Sequence, residues 1–280
     1  MADGTGPGRI TISGLVFGLM ILVLIASSLY YFIAQPYWFP KLASIHGVEI
    51  DSVFNIVLVV TGIAFVVVQG MLGFFVARYG EQGSDRAAYW HDNPKAEAFL
   101  LIGTAVILTV MVFKGQVVWA NIFFSDKPAD ALVVEVVGQQ FNWNFRYPGP
   151  DGAFGKTDAK FISGTDAFGI DPSDPAGKDD IQTVSLMHII NKKPVLLRIR
   201  SNDVIHSFFL PNFRLKQDAV PGMKIEIWFT PDTDNFKLNG FEIACAELCG
   251  LAHYKMSGQL TVEPSQEALN KWLQEMKAQQ

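Results

Sequence analysis

Only two cysteines and five histidines occur in this chain of 280 residues, and charged side chains make up just 18% of it. The cysteine pair, Cys245 and Cys249, has the wrong spacing for a C-x-x-C-H haem attachment, so no c-type cytochrome is fused here. Basic residues are in deficit, 22 against 27 acids, for a formal net charge of -5. That balance argues against nucleic acid as a ligand and suits a basic protein partner. Apolar residues are abundant: half the chain is hydrophobic and mean hydropathy is positive. The length allows several membrane spans and one modest globular domain.

Three apolar stretches fill the first part, residues 1–125, at about 10–34, 53–76 and 98–120. Each is long enough to cross a hydrocarbon core of about 30 Å, which takes about 20 helical residues. The first is longer than the apolar region of a typical signal peptide, although the small residues near Ala26 to Ser28 fit a cleavage site. Lys114 lies late enough in the third stretch to snorkel toward the interface. The segment from Arg78 to Lys95 carries Arg78, Arg86 and Lys95, whereas residues 35–52 carry only Lys41. By the positive-inside rule the former is cytoplasmic and the C-terminal domain lies outside. Glu97 opens the third span, where the helix dipole favours an acid.

Residues 126–264 have a different texture. Short alternating segments, Leu132–Val137, Phe141–Tyr147, Thr183–Ile190, Val195–Arg200, Lys224–Phe229 and Gly258–Val262, are separated by Pro, Gly, Asp and Asn. This predicts an antiparallel sandwich or barrel. Alternation puts Phe141, Trp143, Phe145 and Tyr147 on one strand face, an ordinary core stripe. Residues 149–180 are rich in Gly, Asp and Pro and read as an inserted, solvated surface loop, with an acidic dock as the alternative. Residues 265–280 follow a Ser cap and place Leu269, Trp272, Leu273 and Met276 on one face, as a docking helix requires.

The run Cys245-Ala246-Glu247-Leu248-Cys249-Gly250-Leu251-Ala252-His253-Tyr254-Lys255-Met256 gathers two thiols, an imidazole and a thioether. His206, on an earlier strand, supplies a second imidazole. Soft sulfur donors with imidazole favour copper over hard cations. One copper of the blue type uses a single Cys, so the second thiolate is surplus unless two coppers are bridged. A disulfide or a Cys2His2 zinc site also fits the four residues, but neither uses Met256. His46, His91 and His188 lack ligand neighbours at useful spacing.

The run matches C-x-E-x-C-G-x-x-H-x-x-M, and with Asp203, His206-Ser207, Pro211 and Leu215-Lys216-Gln217-Asp218-Ala219-Val220-Pro221-Gly222 it resembles subunit II of haem-copper cytochrome c oxidases. The resemblance implies N-terminal transmembrane α-helices plus an all-β cupredoxin-like Greek-key domain. It implies a dinuclear copper (CuA) centre in which Cys245 and Cys249 bridge, His206 and His253 cap, Met256 is axial and Glu247 lends its backbone carbonyl. The Glu247 carboxylate would reach a magnesium shared with subunit I. Electrons would come from cytochrome c or another haem donor through an aromatic run in which the family's Trp position falls on Phe141, with Trp143 matching a second aromatic. They would leave on the His253 side for haem in subunit I, where oxygen is reduced to water with proton translocation. Glu97, in Asn93-Pro94-Lys95-Ala96-Glu97, would help protons enter that subunit.

The place implied is the inner (plasma) membrane of a bacterium, multi-pass, with the copper domain in the periplasm and other oxidase subunits as partners. The family's usual plan has two spans, so the third is a departure. Rival readings are the CuA subunit of a nitric oxide reductase and a membrane-tethered copper chaperone, which has its His far downstream of C-x-x-x-C. A nitrous oxide reductase lacks its propeller domain here, and quinol-oxidising relatives have lost the copper ligands.

Overall fold

The computed structural model describes residues 11–34, 39–79, 92–233 and 240–280. Arg86 and His91 lie outside them. The chain divides into two compact units, one formed by residues 1–39 and 52–115, the other by 40–51 and 116–280.

Three helices supply the first unit: α1 (Ile12–Ala34), most of α2 (Ile45–Tyr79) and most of α3 (Pro94–Phe123), all long and apolar enough to cross a membrane. Their apolar side chains point outward all round, as a lipid-facing helix requires. α1 meets α2 through small residues. A Cβ at Gly14 would lie 3.0 Å from the Val76 carbonyl oxygen, so glycine lets the two backbones touch. Asn93 caps α3, its Oδ1 accepting from the Ala96 N–H at 3.2 Å, with Pro94 opening the helix.

α2 begins at Ile45, ahead of the apolar stretch that starts at 53, so part of the expected loop is helical. The cause lies in the second unit, which holds residues 40–51. There Ser44 Oγ accepts from the Gly47 N–H (3.1 Å) and donates to the Phe213 carbonyl (2.7 Å), while Arg214 Nε donates to Asp51 (2.7 Å).

The second unit is a sandwich of two five-stranded sheets. One has the order β3 (Ile181–Val184), β2 (Asn142–Tyr147), β1 (Leu132–Gln139), β5 (Val195–Ser201), β8 (Ile225–Phe229). The other has the order β4 (Leu186–Ile190), β10 (Ser257–Glu263), β9 (Phe241–Cys245), β6 (His206–Leu210), β7 (Leu215–Ala219). Inward residues at alternate positions, including Trp143, Phe145, Ile199, Phe208 and Leu260, bury completely between the sheets. Two expectations fail. The sheets are not wholly antiparallel, because β1 pairs with β5 and β4 with β10 in parallel. And Thr183–Ile190 is not one strand: it breaks at Ser185, which takes a left-handed φ of 57°, and the chain passes from one sheet to the other.

α4 (Gln266–Lys277) is capped by Ser265, whose Oγ accepts from the Ala268 N–H at 3.3 Å. Leu269 and Trp272 bury, and Trp272 stacks on His188 with ring centroids 3.8 Å apart. Burying each such side chain contributes roughly 1.5–3 kcal/mol.

Residues 149–180 are more ordered than a solvated loop. Arg146, on the outward face of β2 and 1% exposed, donates to the Gly155 carbonyl (3.0 Å), Asp180 (2.9 Å) and Glu135 (2.9 Å). Phe168 packs over its guanidinium. The acids of the segment accept from its own backbone: Asp166 from the N–H groups of Phe168 and Ile170 in a local turn, Asp174 from that of Lys156, 18 residues earlier. Carboxylates that read as a charged patch in sequence are thus also the loop's own hydrogen-bond acceptors.

Candidate metal centre

β6 and β9 pair so that Phe208 faces Cys245, which brings His206 to the end of the strand beside the last residue of β9. The chain loops out from Cys245 and returns as β10, and the loop is tied at its base by Cys245 N–H to the Met256 carbonyl (3.2 Å) and Ala246 N–H to that of Ser207 (3.0 Å). Within it a turn from Gly250 carries His253, whose N–H donates to the Gly250 carbonyl at 3.1 Å. Gly250 has φ +135°, and a Cβ there would meet Gln140 Nε2 at 2.8 Å and the Phe141 ring at 3.1 Å. Only glycine tolerates both.

The ligand atoms converge. Cys245 Sγ and Cys249 Sγ are 3.9 Å apart, Cys245 Sγ lies 3.9 Å from His206 Nδ1, and Cys249 Sγ lies 3.6 Å from His253 Nδ1. Met256 Sδ stands 3.7 Å from Cys249 Sγ, and the Glu247 carbonyl oxygen 3.3 Å from Cys245 Sγ. A sulfur pair at this spacing is far beyond the roughly 2.05 Å of a disulfide, yet a metal about 2.3 Å from each fits between them. One imidazole faces each thiol. His206, Cys245 and Cys249 offer ligand atoms within 4.8 Å of one another. The residues therefore fit a copper group held by two thiols, two imidazoles and weak outer donors.

His206 is fully buried and held on all sides. Its Nε2 meets Asp203 Oδ1 at 2.7 Å, which turns Nδ1 to the thiol. Trp143 packs edge-on against the ring at 5.9 Å, and a Cβ at Gly138 would come within 2.9 Å of it. Asp203 also accepts from the Gln140 N–H (2.7 Å), and Gln140 Nε2 donates to the Cys249 carbonyl (2.6 Å). The β1–β2 turn thus braces both halves of the centre. Burial, with Cys245 alongside, pushes the metal-free Cys249 thiol up to about 11.

Sequence reasoning gave Asp203 and Gln140 no role. Asp203 was legible as an acid three residues before a ligand His, and Gln140 as part of a Gly-Gln-Gln turn. Of the other candidates, Phe141 is half-buried against the loop glycine and Trp143 is fully buried. The Glu247 side chain is exposed, and Glu97 is exposed in the first turn of α3. His46 sits edge-on to Trp228, and His188 meets Glu263 at 2.7 Å, both apart from the sulfur cluster.

Comparison with known proteins decides the family. Residues 132–262 match the family description "Cytochrome C oxidase subunit II, periplasmic domain". The chain is 37% identical over 260 residues to the alternative cytochrome c oxidase subunit 2 of Bradyrhizobium diazoefficiens, spanning 92% of this chain and 91% of that one. This chain belongs to the cytochrome c oxidase subunit II family. The subunit 2 of Cereibacter sphaeroides is 27% identical over 255 residues, 86% of this chain and 78% of its own. Among solved structures, the periplasmic domain of subunit II of the Bradyrhizobium japonicum oxidase aligns with 55% of this chain and 99% of its own length, at 26% identity and a TM-score of 0.39. As a family member the chain is a membrane subunit of a haem-copper oxidoreductase. It combines three apolar helices with a cupredoxin-like domain; the family implies a copper centre, and His206, Cys245 and Cys249 are the candidate residues to hold it.

Proposed function

We propose that this subunit II holds a dinuclear copper centre and serves as the place where a haem-copper oxidase receives its electrons. The observation that carries the reading is the donor geometry: two thiols 3.9 Å apart with one imidazole Nδ1 facing each. In this reading Cys245, Cys249, His206 and His253 would hold the group, and Met256 and the Glu247 carbonyl would be weak outer donors. Bound there, the copper group supplies reversible one-electron exchange between an external haem donor, such as a cytochrome c, and haem in the large subunit.

The chain's own residues do the rest. Asp203 fixes the His206 tautomer and ring angle, and the packing of Trp143 and Gly138 around that ring keeps ligand positions from shifting with charge, which limits reorganisation. Phe141, lying over Gly250, provides the contact surface for the donor, and Trp143 is the buried aromatic against His206. His253 marks the exit side. The exposed Glu247 carboxylate is free to share a magnesium with the large subunit, and Glu97 to admit protons at the opposite surface. The reading places the protein in a bacterial inner membrane with the sandwich on the periplasmic side, coupled through the large subunit to oxygen reduction and proton translocation.

Copper loading of the full chain in detergent, followed by metal analysis and electron paramagnetic resonance, tests this. Two coppers per chain with a narrow, many-line hyperfine pattern are expected. One copper, or zinc without a signal, would overturn the dinuclear assignment. Assaying the whole complex with oxygen and with nitric oxide tests the acceptor.

A further inference from the structure

The outward face of the β3-β2-β1-β5-β8 sheet carries a rung of alternating charge. Arg146 pairs in register with Glu135, Glu135 with Arg198, and Arg198 with Glu226. Each neighbour is of opposite sign, and ion pairs close the rung at Arg146–Glu135 and Arg198–Glu226, with Lys127 added on Glu226. Opposite charges across strands stabilise such a row, whereas like charges directly opposite destabilise it.

The pattern breaks two residues further along β5. The β5–β8 register runs Val195↔Phe229 to Ile199↔Ile225; Arg200 follows the last pair on β5, and Lys224 immediately precedes β8. Among the described residues neither cation has an acidic partner within ion-pair distance. Arg200 donates only to the Phe168 carbonyl, at 2.7 Å. Both line a cavity of about 550 Å³ together with Lys127 and Arg198. Glu135 and Glu226, the acids of its wall, are already paired, so the lining carries four cations against two acids in a chain of net charge -5. Two cations lining one cavity of this size, neither in an ion pair though Glu135 and Asp166 lie near enough to act on Arg200, offer a receptor for a phosphate-class anion.

The position of the cavity indicates where the anion comes from. Phe123, the last residue of α3, lines it, and Trp119 stacks with Phe123 (5.4 Å) and Phe124 (5.0 Å). Aromatic residues clustered at the end of an apolar helix mark headgroup depth, where Lys and Arg side chains are attracted to anionic lipids. We propose that Arg200 and Lys224 together bind the phosphate of an anionic phospholipid, tethering the sheet face to the membrane surface. The lipid source rests on α3 being a span; the anion site does not.

The test uses the full chain in detergent, with binding of short-chain phosphatidylglycerol, phosphatidylcholine and inorganic phosphate measured by native mass spectrometry and calorimetry. Phosphatidylglycerol should bind in preference to phosphatidylcholine, and Lys224→Gln and Arg200→Gln should each weaken it about five-fold, the effect of roughly one cation near an anionic lipid. Lys224→Arg should retain binding. Arg200 also holds the Phe168 carbonyl, so Lys224→Gln, which breaks no bond within the fold, keeps the test valid if Arg200→Gln misfolds. Lys271→Gln, on the exposed side of α4, should change nothing; an equal loss there would reduce the effect to diffuse surface charge and overturn the site. Inorganic phosphate binding as tightly as phosphatidylglycerol would overturn the lipid assignment, and equal binding of both lipids would overturn the anion site itself.

Discussion

The two histidines of the centre live in opposite surroundings. His206 is completely buried, hydrogen-bonded to Asp203 and wedged between Gly138 and Trp143. His253 is half-buried in a turn whose neighbours Leu251 and Tyr254 are 95% and 78% exposed. Among the described residues no side chain other than the Cys249 thiol is within hydrogen-bonding reach of its ring. One side of the centre is finished by the fold. The other presents apolar side chains to water, which a subunit interface would cover. The asymmetry suits a group that receives on one side and delivers on the other.

The largest test of that comparison removes what the two sides share. Cys249→Ser should abolish the two-copper hyperfine pattern outright, because Cys249 lies within 3.9 Å of Cys245, His253 and Met256 alike. A full-chain Cys249→Ser sample with an unchanged resonance spectrum and two coppers would rule out bridging thiols. Next in size is the brace on the buried side. Asp203→Asn keeps an oxygen near His206 but removes its charge, and loss of such an outer partner weakens metal binding about 10–100-fold. Tyr254→Ala, on the open side, should leave copper affinity within about two-fold, as an exposed site with no such bond does. Competition with a chelator of known affinity measures both, and equal losses would erase the distinction between the sides.

The thiols repeat the contrast on a smaller scale. Burial first, then the neighbouring Cys245, lifts the Cys249 thiol to about 11, so it is protonated in the metal-free chain at neutral pH. Copper must displace that proton. Apparent affinity should therefore rise with pH, about tenfold per unit for each proton released, and level off only above about 11. A chelator titration repeated at several pH values gives the slope; a flat profile would mean that the thiol is already ionised.

How much of this was legible follows from where each signal sits. The candidate copper loop is local: Cys245, Cys249, His253 and Met256 fall within twelve positions, so spacing alone brings them forward as candidates. The three apolar stretches were equally plain, because continuous apolarity needs no partner to be read. What stayed hidden depends on contacts between distant segments. Gln140 braces Cys249 across 109 residues, and Arg146 gathers residues 149–180 through Asp180. Neither leaves a pattern in its own neighbourhood. The break at Ser185 was missed because no Gly or Pro marks it between Thr183 and Ile190, and only the sheet topology separates the halves.

The smallest expected effect concerns the surface through which the buried side is reached. Phe141 packs on Gly250 and is in part open to solvent, whereas Trp143 is enclosed between the sheets. If electrons arrive over Phe141, then Phe141→Ala should slow reduction by the donor several-fold while leaving copper content and spectrum unchanged, since truncating a rim aromatic removes contact area without touching a ligand. Trp143→Ala should behave in the opposite way, costing about 3–5 kcal/mol of stability through the cavity it leaves and disturbing the His206 ring. Stopped-flow reduction of the copper-loaded chain beside a thermal melt separates the two. Unaltered kinetics in Phe141→Ala would return that residue to packing and move the docking surface to the open, His253 side, where Leu251 and Tyr254 are the exposed candidates.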